Sequence, residues 1–171
     1  MDTTERIRKR VQEDDEGRTA LLEMLREQPG DTHEVISALT CDQRDIEAGA
    51  AEALVFLAEE APDLLEPFAR RLFRIAAGSE HQAVRLAIAR ALPLLELGAW
   101  QAGRLAFVFE SWLDDRDPAI KRAAMEALVA LVPQRPSLGP RVRREIERRA
   151  AEGSPTAIKH GTKLLETLRE F

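Results

Sequence analysis

The sequence of 171 residues has a single cysteine, Cys41, and no tyrosine. A lone cysteine cannot form an internal disulfide, which favours a reducing compartment. The chain also lacks the roughly 18 to 20 consecutive uncharged apolar residues that span a bilayer. Its first residues, MDTTERIRKR, have no apolar segment after the basic ones, whereas a signal peptide would. We therefore predict a cytoplasmic protein that does not contact a membrane.

Motifs for catalysis are missing as well. The sequence has no glycine-rich phosphate loop, no serine nucleophile elbow and no paired carboxylates typical of acid–base chemistry. Its three histidines, His33, His81 and His160, are scattered and do not have the spacing of metal ligands. Cys41 has no histidine or second cysteine near it in the sequence that would make a reactive site. We predict a protein that is not an enzyme and has no cofactor or metal.

Helix-forming residues dominate the composition instead. Alanine, leucine, glutamate and arginine are abundant and β-branched residues are few, which predicts an all-α protein. The net charge of −5 is unevenly spread, because residues 1–66 hold 7 Lys/Arg against 18 Asp/Glu, while residues 135–171 hold 9 against 5. Such a charge gradient can steer a partner or favour self-association.

The clearest local pattern lies between Asp114 and Leu131. Asp117 precedes Pro118, and aspartate is a strong N-cap while proline fits the first helical position. Apolar residues then follow with the spacing of one helical face: Ile120, Ala123, Ala124, Ala127, Leu128 and Leu131. The pattern predicts a helix that begins at Pro118.

This pattern recurs along the chain. One column of anchor residues, 36 or 38 positions apart, consists of Ile46, Val84, Ile120 and Ile158. Three residues after each anchor stands a small residue: Gly49, Ala87, Ala123 and Gly161. Small residues there would let neighbouring helices approach closely. A period of this length built from two helices predicts a stacked α-solenoid.

The units resemble HEAT repeats, whose second helix opens with a capped turn, an apolar residue, a basic residue and then small-Ala-xx-Ala-Leu. Residues 117–128 match that pattern, Val84-Arg85 and Ile158-Lys159 match its core pair, and Ile46-Glu47 does not. The resemblance implies an all-α, right-handed α-α superhelix of about four helix pairs. Residues 42–171 would form the repeats, and residues 1–41 an N-terminal cap or degenerate unit, within a single domain that spans residues 1–171.

Capping residues and breakers predict the other helix boundaries. Near the N-terminus we expect a helix capped by Thr4, a second after Asp14-Asp15-Glu16 that buries Leu21, Leu22 and Leu25, and a third from Asp31. Further starts are expected at Asp42, Pro62, Ser79, Ala99, Pro140 and Ser154, and ends at Gly78, Gly98 and Gly153.

The second helices of such a solenoid line its inner, concave face. Residues two, five and nine positions after each anchor should point away from the core. In the first three rows they are largely small or apolar, and Glu47 and Glu126 contribute to a charged rim. They predict a groove for a partner helix or peptide, unless tight curvature or another helix covers it. The candidate partner-binding residues are Val55, Arg85, Leu86, Arg90, Lys121, Arg122, Met125, Val129, Lys159 and Lys163.

Basic residues leave nucleic-acid binding by the C-terminal half as an alternative. One predicted helix carries Arg141, Arg143, Arg144, Arg148 and Arg149. Glu145 and Glu147 interrupt this arginine cluster, and no aromatic residue lies there to stack on bases. The basic column of Arg85, Lys121 and Lys159 could bind phosphates or form a ladder of ion pairs with carboxylates such as Asp117.

Trp100 and Trp112, close to Asp114, Asp115 and Arg116, are similar in type to the Trp and Asp that HEAT-like DNA glycosylases use. The acidic overall charge and the place of Trp112 on a core column weigh against that chemistry. We therefore favour a non-enzymatic scaffold that binds another protein through its concave face. Self-association is a further possibility.

Overall fold

The structure, a computed structural model, describes residues 15–171. This range contains α-helices and 3₁₀ turns and no strand, so the predicted all-α class is confirmed. The expected helix capped by Thr4 lies outside the described residues. None of the described helices has the length and apolar character needed to cross a membrane. The helices are α1 (Asp15–Glu27), α2 (Thr32–Ala38), α3 (Arg44–Glu60), α4 (Ala69–Gly78), α5 (Gln82–Ala91), α6 (Ala99–Trp112), α7 (Pro118–Leu131), α8 (Gly139–Ala151) and α9 (Pro155–Thr167).

Side-chain caps start the helices that were predicted most accurately. α7 begins at Pro118, and Oδ1 of Asp117 accepts a hydrogen bond from the N–H of Ala119 at 2.8 Å. α9 begins at Pro155, and Oγ of Ser154 accepts one from the N–H of Ala157 at 3.3 Å. Each bond satisfies an N–H that the first helical turn leaves without a partner.

Prolines shift two predicted boundaries. Pro62 opens only a 3₁₀ turn, Pro62–Leu64, and a second turn, Glu66–Phe68, delays the start of α4 to Ala69. Pro93 lies in the 3₁₀ turn Leu92–Leu94, so α5 ends at Ala91 rather than near Gly98. Proline has no N–H to continue the helical ladder, and its ring clashes with the preceding turn.

α3 begins later than the sequence predicts. Asp42, the expected cap, has a left-handed backbone with φ of 60°, and its N–H donates to Oε1 of Glu47 at 3.1 Å. Gln43 is the N-cap, and its side chain makes no capping bond. At α5 the N-cap is His81 rather than Ser79. Asp42 therefore does not cap α3 but is held to the helix by the buried Glu47 carboxylate.

The described helices form two compact units. Unit 1 ends at Leu95 and unit 2 begins at Glu96; the single domain that the sequence predicts stays a prediction. In unit 1, α3 packs against α2 and α5, and α4 packs against α5. In unit 2, α7 packs against α6 and α8, and α9 packs against α8. Fully buried leucines fill the core of unit 1: Leu21, Leu25, Leu39, Leu54, Leu57, Leu65, Leu72, Leu92 and Leu95.

Gly161 shows why a small residue follows the anchor. A Cβ placed on Gly161 would lie 2.9 Å from the Cβ of Ala150 on α8, closer than side-chain carbons approach in proteins. The prediction that this position permits close helix packing is confirmed there. The anchors themselves differ: Val84 and Ile120 are buried, whereas 44% of Ile158 is exposed.

Candidate functional site

α3 and α5 leave a groove of about 450 Å³ on unit 1. Small and apolar side chains form its floor, and the four charged residues Arg18, Glu52, Glu59 and Arg90 stand at its rim. The floor consists of Ala48, Ala51, Val55, Phe56, Ala83, Leu86 and Ala87. We call this surface the α3–α5 groove.

Alanines on both helices create the concavity. Ala51 and Ala87 are buried where α3 and α5 pack together, and their single methyl groups leave space above them. Val55 and Leu86 flank that space and remain half-exposed. The result is an apolar surface that lies within reach of solvent, which in a folded protein often marks a binding site.

Both signs of charge are present at the rim. Nη2 of Arg90 lies 3.3 Å from Oε1 of Glu59, and with side chains 65% and 48% exposed this ion pair contributes little to stability. The guanidinium of Arg18 lies 5.9 Å from the ring centroid of Phe56. Glu52 is exposed and makes no ion pair with any residue that the structure describes. The carboxylate of Glu52 is therefore available to a basic partner.

The structure places the candidate residues of unit 1 in two groups. Val55, Leu86 and Arg90 line the α3–α5 groove, while Arg85 does not. Glu47, predicted at the rim, is only 7% exposed. Its Oε2 lies 3.3 Å from Nδ1 of His81, so the buried carboxylate connects α3 to the N-cap residue of α5.

Six groove residues were not predicted: Arg18, Glu52, Phe56, Glu59, Ala83 and Ala87. Arg18 lies on α1, outside the repeat columns, so aligning the repeats could not identify it. Phe56 follows Val55 directly and is one helical step of about 100° away from it. A wider angular window around the predicted face would have included Phe56.

The candidate residues of unit 2 form a different surface. Arg122, Lys159 and Lys163 are exposed, and Lys121 and Met125 are half-buried. Val129 is only 4% exposed. Val129 is therefore a core residue and offers almost no surface to a partner.

Lys121, Arg122, Lys159 and Lys163 make no ion pair with any side chain that the structure describes. Among those side chains, the predicted ladder is therefore absent at Lys121 and Lys159. Asp117 caps α7 instead. The nearby acidic residue on this surface, Glu126, places Oε1 3.4 Å from Nε2 of His160.

The arginine cluster of α8, by contrast, is largely paired within unit 2. Nη2 of Arg148 lies 2.8 Å from Glu145, and Nη2 of Arg149 lies 3.1 Å from Asp114. Arg141 pairs with Glu110. Burial raises the pKa of the Glu110 carboxyl above its ordinary value, and Arg141, which lowers that pKa, offsets this only in part.

The tryptophans and aspartates compared with glycosylases have structural surroundings. Trp112 is 5% exposed, and its ring meets that of Phe109 edge-on with centroids 5.3 Å apart. Oδ1 of Asp115 accepts a hydrogen bond from the N–H of Asp117 at 2.8 Å in the turn before α7. Trp100, at the start of α6, is 68% exposed. Among the described residues, no group of three or more His, Cys, Asp or Glu could hold a metal ion.

No protein-family model and no curated protein sequence matches the chain. Among solved structures, the chain is similar to engineered proteins from the Northeast Structural Genomics Consortium. One has a TM-score of 0.68 at 15% identity, over 96% of this chain and 72% of that protein. A second has a TM-score of 0.64 at 16% identity, over 94% of this chain and 69% of that protein. A third has a TM-score of 0.65 at 15% identity, over 95% of this chain and 42% of that protein. The likeness shows a shared all-helical fold and nothing about activity.

Proposed function

We propose that the chain is a HEAT-like, right-handed α-solenoid scaffold of the cytoplasm, without enzymatic activity, that binds another protein through the α3–α5 groove. The observation that carries this proposal is the apolar floor between Val55 and Leu86, which stays accessible although both helices are otherwise well packed. Folds of this type host many functions, so the proposal rests on the site and not on the architecture.

The shape of the groove favours an amphipathic helix as the partner segment. A volume of about 450 Å³ is within the range of side-chain-sized binding pockets. The alanine floor leaves room for one or two large apolar side chains, which would anchor a helix by the usual i, i+3, i+4 spacing. A basic residue on the same helix would meet the exposed carboxylate of Glu52.

A displayed library of amphipathic helical peptides, each with a central leucine or phenylalanine and flanking lysines, tests the proposal. Peptides selected on the wild-type protein are labelled, and their affinity is measured by fluorescence polarisation. We expect Leu86→Glu to weaken binding by about tenfold or more, because the bound peptide would bury an unpaired carboxylate in the floor.

Leu94→Glu is the matched control. Leu94 is 48% exposed, belongs to the same unit and does not line the groove, so the same charge is added outside the site. Circular dichroism checks that both variants are folded. If both variants bind the selected peptides as tightly as the wild type, the α3–α5 groove is not the binding site.

Nucleic-acid binding is the second candidate function, and it is supported by four cations of unit 2 that make no ion pair with any described side chain. Up to four phosphates could be neutralised by Lys121, Arg122, Lys159 and Lys163. A plot of the logarithm of the affinity for duplex DNA against the logarithm of the salt concentration would then have a slope of about −3.6. The test is binding of labelled duplex DNA and single-stranded RNA at several salt concentrations. Lys159→Glu with Lys163→Glu would remove about half of that slope. No binding at low salt would rule this function out.

A further inference from the structure

α6 presents a stripe of exposed residues that the fold does not use. Trp100 is 68% exposed and Phe107 is 71% exposed, whereas Phe109 and Trp112 on the same helix are buried. Arg104 and Ser111 are exposed as well. At 100° per residue, Trp100, Arg104, Phe107 and Ser111 lie within about 60° of one another. We call these four residues the α6 stripe.

Isolated apolar residues on a surface are ordinary, but two large aromatic rings on one helical face are not. Aromatic side chains bury about 150–250 Å² each, so the exposed fractions of Trp100 and Phe107 together offer about 210–350 Å². The Arg104 guanidinium lies 5.0 Å from the Trp100 ring centroid, yet Trp100 and Phe107 remain 68% and 71% exposed, so Arg104 does not cover them. The stripe therefore has the size and chemistry of a contact surface.

We propose that the α6 stripe binds a second copy of this chain, with the two α6 helices antiparallel. A symmetric dimer places the same surface patch on both sides, so that patch must be complementary to itself. The α6 stripe is complementary to itself when the two helices are antiparallel and not when they are parallel.

In an antiparallel pair centred between positions 104 and 107, each residue faces a different one. Arg104 lies opposite Phe107 of the second copy, a cation against an aromatic face, which is an attractive contact. Trp100 lies opposite Ser111, the largest side chain against the smallest. In a parallel pair Arg104 would face Arg104, and the like charges would repel each other. Size and charge thus both favour the antiparallel dimer.

The expected dimer is weak. The aromatic residues of two copies contribute about 420–700 Å² in total, and even with Arg104 and Ser111 this is in the range of transient interfaces, below about 1,200 Å². The inference does not depend on the proposed function, because the α3–α5 groove is in unit 1 and the α6 stripe is in unit 2.

Sedimentation equilibrium of the full chain, between about 10 µM and 1 mM protein, tests this dimer at the concentrations where weak interfaces associate. We expect a monomer–dimer equilibrium in the wild type. Phe107→Lys should raise the dissociation constant about tenfold or more, because it removes the ring and places an ammonium opposite Arg104 of the second copy. Phe171→Lys is the matched control, since Phe171 is also exposed, at 64%, and lies outside α6. Its dissociation constant should stay within about twofold of the wild type, as for a surface substitution away from the interface.

Three results would overturn the proposal. One is a wild type that stays monomeric over the whole range, which would leave the stripe to another occupant. The second is a dimer that Phe107→Lys does not weaken. The third is a dimer that Phe107→Lys and Phe171→Lys weaken equally, which would indicate a general charge effect. Phe107→Gln, which removes the ring without adding charge, serves as the second variant if the lysine variant is not folded.

Discussion

The candidate surfaces of the two units differ in chemistry although residues at the same sequence spacing form them. In unit 1, Ala48 and Leu86 belong to an apolar groove whose rim carries the Arg90–Glu59 pair. In unit 2, the matching positions hold Arg122 and His160, and four cations have no ion-pair partner within the described chain. The helical period fixes the direction of a side chain, but the residue type decides what that surface can bind. The ten candidate partner-binding residues are therefore divided between two units whose surfaces differ in chemistry.

Each unit also has one contact between a glutamate and a histidine, at nearly the same distance. Glu47 and His81 lie 3.3 Å apart in unit 1, and Glu126 and His160 lie 3.4 Å apart in unit 2. The glutamate side chains are 10% and 49% exposed, respectively. Only the buried one also accepts a backbone hydrogen bond, from Asp42. Burial and the second bond, not distance, should make the two contacts unequal.

Replacing each glutamate by alanine tests this inequality and has the largest effect we predict. Glu47→Ala should lower the free energy of unfolding by about 2 kcal/mol, because the buried Glu47 side chain both accepts the hydrogen bond of the Asp42 N–H and contacts His81. Glu126→Ala should change it by less than about 0.5 kcal/mol, as for other exposed pairs. Urea unfolding followed by circular dichroism measures both values.

Glu47→Gln separates the two roles of the buried carboxylate. The amide oxygen of glutamine can still accept the hydrogen bond from Asp42, so this variant should lose less stability than Glu47→Ala. Equal losses for Glu47→Ala and Glu126→Ala would show that the buried contact has no special weight, and the contrast between the units would not hold.

Helix caps provide a second contrast between the units, with an expected effect of about 1 kcal/mol. Asp117 caps α7 through its side chain, whereas Gln43 at the start of α3 makes no such bond. Asp117→Ala should therefore destabilise the protein by about 1 kcal/mol. Gln43→Ser should stabilise it by up to about 1 kcal/mol, because a serine hydroxyl can accept a bond from the first turn.

Serine is preferable to aspartate at position 43 for an electrostatic reason. Asp42, Asp45 and Glu47 are nearby in sequence, and a further carboxylate would be repelled by them. Thermal unfolding of the two variants and the wild type gives the comparison. A Gln43→Ser protein no more stable than the wild type would mean that the Glu47 bond to Asp42 already holds the start of α3 in place.

The sequence was most informative where one local interaction decides a boundary. Asp117 and Ser154 cap their helices through short-range hydrogen bonds, and both starts were predicted from residue type alone. It was least informative where a tertiary contact decides. The left-handed backbone at Asp42 depends on Glu47, and the burial of Glu47 depends on how α3 and α5 pack, which no local pattern contains.

The groove shows the same division. Val55, Leu86 and Arg90 could be placed by helical period, because the period fixes their direction. Arg18 lies on α1, outside the aligned segments, so the helical period could not identify it. Val129 lies at a position that the period assigns to the open face, yet it is buried. The sequence therefore identified the two helices that form the groove, whereas the structure was needed to show which of their side chains are accessible.

The smallest effect we predict concerns two ion pairs, Arg90–Glu59 on unit 1 and Arg141–Glu110 on unit 2. The Glu59 side chain is 48% exposed and that of Glu110 is 14% exposed. Glu59→Gln should change the free energy of unfolding by less than about 0.5 kcal/mol. For Glu110→Gln the informative quantity is the pH dependence, because burial raises the pKa of Glu110 in the folded protein.

A raised pKa means that the folded protein holds the proton of Glu110 more tightly than the unfolded chain does. Its contribution to stability is therefore fully present below the ordinary pKa of glutamate, about 4.3, and is lost as the pH rises through the raised pKa. Glutamine does not titrate, so the stability of the wild type relative to Glu110→Gln should fall over that interval and then level off. Urea unfolding of both proteins from about pH 4 to pH 8 measures this difference across the ordinary carboxyl range. A difference that rises with pH would mean that attraction by Arg141 outweighs burial, and the Glu110 pair would then stabilise unit 2 at neutral pH.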